Sequence, residues 1–272
     1  MKIIFIYIFV IFNFLIISKA SANKNQKIVS LAPNLTEIVY ALGLGNQLVG
    51  NTILCDYPEQ AKKVYKVGNF NNPNMERIIS SGTNIVLATE GNPMEKLNSL
   101  KTKGIKIVQV KPQKATDIPI IIQTIANNLG VSERGKELSG SIEKALQKIS
   151  NGKKKNKSFL LILQFNPIYS ISEETWLGEL FKLSGLKNIV GKSVIKYPVI
   201  SNEFLLKNRP DLILVGAVEG KSKQESLEIQ KQKIQQIYGE ETKKIDTEIL
   251  PKDVLVRPGP RIVEGIHFIE SI

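Results

Sequence analysis

Glu76-Arg-Ile-Ile-Ser-Ser-Gly-Thr-Asn84-Ile-Val-Leu87 aligns without a gap on Glu203-Phe-Leu-Leu-Lys-Asn-Arg-Pro-Asp211-Leu-Ile-Leu214, 127 positions further along the chain. Each copy reads as a short helix opening on a glutamate, then a turn, then a strand apolar on both faces. A second echo lies upstream of each: Asn188-Ile-Val-Gly191 matches Gln47-Leu-Val-Gly50, 141 positions apart. The smaller spacing of the first match means that the first half carries the longer loop between its two matched units, Asn51 to Pro73. The repeat predicts two similar lobes, one carboxylate at the same point of each, and a binding cleft between them.

Outward from the repeat, strands and helices alternate. Ile28 to Ala32 reads as a first strand ending at Pro33, Thr36 to Leu42 as a helix stopped by Gly43, and Leu48 to Gly50 as a short strand. Pro93 to Lys103 reads as a helix and Ile105 to Val110 as a strand. In the second half, Phe159 to Gln164 reads as a strand, Trp176 to Leu183 as a helix and Ser222 to Gly239 as a polar helix. Lys244 to Ile249 is a charged candidate for the last strand. Pro251 to Pro260 reads as a loop, with Pro260 in the first turn of a final helix through His267. This alternation predicts parallel α/β layers. Between the halves lie an apolar helix, Asp117 to Leu129, and an amphipathic one, Ser132 to Ser150. The latter has Ser132 as its N-cap and Leu138, Ile142, Ala145, Leu146 and Ile149 on one face. At about 1.5 Å per residue it spans roughly 28 Å, a stiff joint that predicts small lobe motions.

The 272-residue chain opens with Lys2, an apolar run from Ile3 to Ile17 and the small residues Ala20-Ser21-Ala22. That is the layout of a secretory signal peptide, cleaved after Ala22, and the run is short for a spanning helix. The expected division is 1–22 signal peptide, 23–131 N-terminal lobe, 132–156 interlobe helix and 157–272 C-terminal lobe. A single cysteine, Cys55, precludes an internal disulfide. The formal charge of +12 falls to +10 without Lys2 and Lys19. Lysine runs such as Lys153 to Lys157 read as solvated surface, because no basic stripe is interleaved with aromatics, and no nucleic-acid partner is expected. One histidine and one cysteine leave no metal cluster and no Ser-His-Asp arrangement, so no enzyme is expected. His267 reads as a half-buried helix residue. Gly43-Leu-Gly45 follows a helix rather than a strand and is no dinucleotide loop.

Three stretches carry a resemblance: Ile28-Val-Ser-Leu-Ala-Pro-Asn-Leu-Thr-Glu-Ile38; Cys55-Asp-Tyr-Pro58 with Val67-Gly-Asn-Phe-Asn-Asn-Pro-Asn-Met-Glu-Arg77; and Arg257-Pro-Gly-Pro-Arg261. Together they resemble the helical-backbone substrate-binding proteins of ABC importers, which take siderophores, haem or cobalamin, and within that group its periplasmic cobalamin binders. The resemblance implies an α/β fold of two Rossmann-like lobes with parallel sheets joined by a single long rigid helix, the class III periplasmic binding protein architecture. It implies a periplasmic protein, a monomer when free and without a cofactor, that holds a corrinoid in the cleft. The alternative is a ferric siderophore or haem. On matched positions Tyr57 and Phe70 would line the cleft from the first lobe, Tyr169, Trp176 and Tyr197 from the second, with Asp253 and Arg257 at the ligand's polar edge. Phe70 and Tyr197 stand where the best-known member of the group has tryptophans. For each aromatic the plainer reading is ordinary packing; for Asp253 and Arg257 it is a salt bridge pinning the last loop; Arg261 reads as structural. Glu76 and Glu203 would dock on the two copies of a homodimeric ABC permease that works with ATPase subunits. Both acids also suit a first helical turn.

Overall fold

The computed structural model describes residues 25–272, so the expected signal peptide lies outside the described residues. The first lobe runs β1 (Ile28–Ser30), α1 (Pro33–Ala41), β2 (Leu48–Asn51), α2 (Met75–Ser80), β3 (Ile85–Thr89), α3 (Met94–Asn98, continued by a 3₁₀ turn through Lys103) and β4 (Lys106–Val110). Its strands form a parallel sheet in the order β2-β1-β3-β4. Two helices follow, α4 (Asp117–Asn128) and α5 (Ser132–Asn151). The second lobe contains β5 (Ser158–Ile162), the hairpin β6 (Gln164–Phe165) and β7 (Ile168–Tyr169), α6 (Trp176–Leu183), β8 (Lys187–Asn188) and α7 (Asn202–Lys207). It continues through β9 (Leu212–Gly216), α8 (Lys223–Tyr238), β10 (Asp246–Leu250), α9 (Lys252–Leu255) and α10 (Ile262–Ser271). Its main sheet, also parallel, has the order β8-β5-β9-β10.

The two sheets therefore have one topology, with β1, β2, β3 and β4 equivalent to β5, β8, β9 and β10. The repeated segment is superposed element by element. α2 and α7, and then β3 and β9, begin and end at positions with the same spacing as the sequence repeat. Even the caps agree: Asn74 accepts from the Arg77 amide at 2.9 Å, and Ser201 from the Phe204 amide at 3.1 Å. Each cap satisfies one of the helix's orphan donors. β3 is buried along its whole length, as a central parallel strand must be. β10 is an edge strand, and its charged residues Asp246 and Glu248 protect that edge.

The interlobe helices are packed into both lobes. A continuous buried apolar cluster runs from Ile28, Leu35 and Leu87 of the first lobe through Ile122 and Ile125 of α4 and Ile142 and Leu146 of α5. It continues into Phe159, Phe181, Leu214 and Ile266 of the second. α4 and α5 approach so closely that a Cβ on Gly135 would lie 2.3 Å from the Ala126 Cβ. Phe159 on β5 and Phe181 on α6 meet with ring centroids 4.6 Å apart.

Several local expectations are corrected. α1 starts at Pro33, not Thr36, because proline suits the first helical position and Ala32 supplies the extended cap. α5 begins at Ser132, so Val131 rather than Ser132 occupies the cap position. The strand expected to reach Gln164 ends at Ile162 and gives way to the β6–β7 hairpin. The final helix starts after Pro260, at Ile262, and runs beyond His267, which is exposed. The lysine run is more than solvated surface. Lys154 Nζ donates to the Ser150 carbonyl and, at 2.8 Å, to that of Leu183, while Lys155 Nζ reaches the Glu270 carbonyl at 3.1 Å. The run thus caps the converging C-termini of α5, α6 and α10. Among the described residues no helix is long and apolar enough to cross a membrane.

Because one core serves both lobes, urea unfolding followed by circular dichroism and by tryptophan fluorescence is expected to give a single coincident transition. Phe181→Ala should lower the stability of the whole chain by about 3–5 kcal/mol. Two separate transitions, with only one of them moved, would contradict a shared core.

Candidate functional site: the interlobe cleft

The loops leaving the C-terminal ends of β1, β3 and β4 face the start of α6 and the loops after β8 and β10 across a cleft of about 620 Å³. Crevices at the carboxyl ends of parallel strands are the usual ligand sites of open α/β sheets. Phe70, Trp176, Tyr197, Asp253 and Arg257 all line this cleft. Tyr57 and Tyr169 lie outside its lining. Tyr57 is exposed beneath the Arg261 guanidinium, 4.0 Å from the ring centroid. Tyr169 ends the β6–β7 hairpin and bridges to Val199.

Each aromatic in the wall is held by its surroundings. Gly91 makes room for Phe70: with φ at +91°, it leaves the space where a Cβ would sit 2.7 Å from the Phe70 ring. Asn92, which sequence reasoning missed, pins the Phe70 loop. Its amide donates to the Phe70 carbonyl at 2.7 Å and the Leu31 carbonyl at 3.2 Å, and its oxygen accepts from the Thr89 amide at 2.8 Å. Further along that loop, Lys66 Nζ donates to Asn51 Oδ1 at 2.8 Å, the Ala61 carbonyl at 3.1 Å and the Cys55 carbonyl at 3.2 Å. Trp176 opens α6 behind the cap Thr175 and is almost wholly buried, so it packs the core and floors the cleft at once. Tyr197 is half exposed; burial of its phenol, with Glu90 adding to the effect, pushes its pKa up, so it is a protonated donor at neutral pH.

Arg257 crosses from the second lobe to the first. Its guanidinium donates to both oxygens of Asp56, at 2.6 and 3.3 Å, and to Glu37 Oε1 at 3.2 Å, and lies 3.6 Å from Asp253. The expected Asp253–Arg257 salt bridge is present, but the stronger partners come from the other lobe. Glu37 is buried in α1, and its Oε2 has no hydrogen-bond partner among the described residues. Arg261 stands 3.9 Å from Glu37 and 3.4 Å from Glu264. A second cross-lobe link joins Lys196 to Gln113, which donates to Glu90 at 2.7 Å. Glu37 and Asp56 escaped the sequence reading because their partner is some 200 positions away. The one available signal was an acid set among Leu35, Ile38 and Val39. Among the cleft-lining side chains, the charges of Lys196 and Arg257 are matched by those of Glu90 and Asp253. Glu76 and Glu203 lie away from the cleft, both exposed.

Two equivalent lobes closing on a cleft built from both define a solute-binding protein. The chain belongs to the periplasmic binding protein family, whose model matches residues 28–243. It is 29% identical to the vitamin B12-binding protein of Pectobacterium atrosepticum over 72% of this chain and 73% of that protein. It is 31% identical to the one from Pectobacterium carotovorum, over 70% and 71%. The crystal structure of the periplasmic vitamin B12 binding protein of Vibrio cholerae matches with a TM-score of 0.74 at 26% identity, over 90% of this chain and 95% of that one. A periplasmic haem-binding protein from Roseiflexus shares the fold, with a TM-score of 0.77 at 21% identity, over 90% and 97%.

The acids around Arg257 respond to pH in opposite senses. Hydrogen bonding to Arg257 holds Asp56 below the usual carboxylate range, so its contribution to stability is complete above the unfolded value of about 3.9 and is lost as pH falls through the lower folded value. Burial pushes Glu37 up by more than the arginines pull it down. The folded state therefore binds that proton more tightly than the unfolded chain does. Ionisation of Glu37 subtracts from stability as pH rises above about 4.3 and through its folded value. Glu37→Gln is thus expected to gain stability relative to the wild type between about pH 4 and about pH 7 in urea titrations. A relative loss over that interval would show that the arginines outweigh burial.

Proposed function

We propose that this chain captures a corrinoid of the cobalamin class in the periplasm and delivers it to an ABC permease homodimer with its ATPase subunits, making and breaking no bond. The observation that carries this reading is the cleft wall: aromatics from both lobes, with charges that cancel among themselves. A large, flat, amphipathic ring system with amide arms gains from rigid faces and from a few donors and acceptors, and needs no net charge. An anionic siderophore would favour unpaired cations, yet Arg257 is already held by Asp56 and Glu37, and Lys196 has Glu90 at 3.9 Å. For haem, the cleft lining offers no histidine, methionine or cysteine among the described residues, and of the usual axial ligands only the tyrosine Tyr197. The vitamin B12-binding relatives support the same choice. Cleavage of residues 1–22 during export would deliver the chain to the periplasm.

Phe70, Trp176, Tyr197, Asp253 and Arg257 are the proposed ligand contacts, with Tyr57 and Tyr169 reaching the parts of a large ligand that project from the cleft. Glu76 and Glu203, at equivalent points of two equivalent lobes, are the proposed docking acids for the two permease subunits.

Trp176 is the chain's one tryptophan and floors the cleft, so its fluorescence reports occupancy directly. Titration of residues 23–272 with cyanocobalamin is expected to quench it saturably, and Phe70→Ala or Tyr197→Ala to weaken binding about tenfold, the equivalent of about 1.4 kcal/mol. No binding up to about 1 mM, a regime of about −4 kcal/mol, would exclude cobalamin, and parallel titrations with haem and a ferric siderophore would then identify the ligand class. The double charge reversal Glu76→Lys with Glu203→Lys is expected to abolish uptake while leaving ligand affinity unchanged. Normal uptake by that variant would remove the docking role.

A further inference from the structure

The repeat carries more than its two acids. Three positions after each glutamate stands a large apolar side chain that the fold leaves in solvent: Ile79 is 43% exposed and Leu206 61%. Their neighbours Ile78 and Leu205 are fully buried. Residues three apart share a helical face, so Glu76 stands beside Ile79 on α2 as Glu203 stands beside Leu206 on α7. The second match in the chain repeats the pattern. Carried without a gap past Gly50 and Gly191, it sets Ile53-Leu54 on Val194-Ile195. All four are exposed, and each pair follows the edge strand of its sheet, β2 or β8; Leu54 lines the cleft, which leaves Ile53 and Val194 as the matched pair outside it.

Single exposed apolar residues are ordinary and need no explanation. Ile53, Ile79, Val194 and Leu206, none of them in the cleft lining, are different because they recur in pairs, at matching positions of two lobes that share one topology. A cleft that accommodates a ligand without two-fold symmetry gives no reason for such matching.

We propose that Ile53 and Ile79 on one lobe, and Val194 and Leu206 on the other, form the two halves of one docking surface. Its partner is a protein with two-fold symmetry that presents, twice, a basic group beside an apolar recess. The proposal rests on the docking reading of Glu76 and Glu203 and extends it from the charges to the surface that surrounds them. Exposed ion pairs steer and orient more than they bind, whereas apolar side chains withdrawn from water supply affinity. The acids are available for that role. Glu76 has no ion pair among the described residues, since Arg77 turns away to the Lys66 carbonyl at 3.2 Å. Among the described residues Glu203 pairs with the exposed Lys207 alone, at 2.8 Å.

The test measures binding of the ligand-free chain to the cognate permease–ATPase complex in lipid nanodiscs, so that ligand identity plays no part. Two double variants are compared, Ile79→Ser with Leu206→Ser and Ile53→Ser with Val194→Ser. Each is expected to weaken the complex at least tenfold, with the two single variants of a pair having similar effects and the unfolding midpoint unmoved. Ile120→Ser, at a 63% exposed position on α4 outside both matched stretches, should bind as the wild type. Wild-type binding by both double variants, while Glu76→Lys with Glu203→Lys loses the complex, would overturn the apolar surface and leave the acid docking intact. Intact binding by the charge-reversed variant as well would remove both. An effect confined to one lobe, or an equal loss with Ile120→Ser, would overturn the two-fold surface.

Discussion

The lobes of this protein share one apolar core, and the cleft exists because of it. Ile122 and Ile125 of α4 and Ile142 and Leu146 of α5 are buried in the same cluster as Phe159 and Phe181 of the second lobe. A wide opening would expose that surface at roughly 25 cal/mol per Å² of apolar area. No comparable cost faces a hinge made of extended strands. Gly135 lets α4 and α5 touch, and the lysines after α5 tie down the ends of three helices. The joint therefore sets the distance between the cleft walls in advance, and a ligand meets a preformed site and bears little of the ordering cost.

Polar contacts then fix what the core leaves free. Arg257 reaches across the cleft to Asp56 and Glu37, and Lys196 reaches Gln113. Burying Glu37 is unfavourable in itself, and its second oxygen lacks a partner among the described residues. The return is positional. A guanidinium held on two sides by carboxylates of the opposite lobe keeps one orientation, and the interlobe angle is registered by a charge contact as well as by packing. The Arg257 contacts also offset a cleft cation, so the charge of the cleft and the registration of the lobes share a residue.

The layered fold was legible in the sequence because its signals are local. Helix and strand periods, turn glycines and the gapless match from Glu76 to Leu87 depend on near neighbours, and the elements end where that match says they should. The failures were of two kinds. Pro33 reads as a strand stop in the sequence and is a helix start in the fold, since proline serves both roles and only the tertiary setting chooses. Lys154 reads as solvated because a lysine's pattern says nothing about which distant carbonyls converge on it. The site divides in the same way. Trp176 opens a helix whose direction is set, whereas Phe70, on the same long loop as Tyr57, is placed by Asn92 and Gly91. Tyr57 and Tyr169 sit on a long loop and a hairpin whose direction is not set. Glu37 and Asp56 take their meaning from Arg257, and no window of sequence contains all three.

The division between matched and unmatched residues has a physical basis. A ligand lacking two-fold symmetry makes different demands on the two walls, and the walls differ: Phe70 on a long loop faces Trp176 on a helix and Tyr197 on a short loop. Arg257 has no partner of its own kind across the cleft. A two-fold partner makes the same demand twice, and can be met only by equivalent points of equivalent lobes. Glu76 and Glu203, Ile79 and Leu206, and Ile53 and Val194 are such points. Gly50 and Gly191 show that matching is not inherited wholesale. Gly50 lies within β2, where a Cβ would stand 2.7 Å from Val67, whereas Gly191 turns the chain out of the sheet at φ +67°. A duplicated chain drifts wherever nothing holds its halves alike. On the proposed reading, the exposed positions that stayed alike are those a symmetric transporter would hold to the same shape.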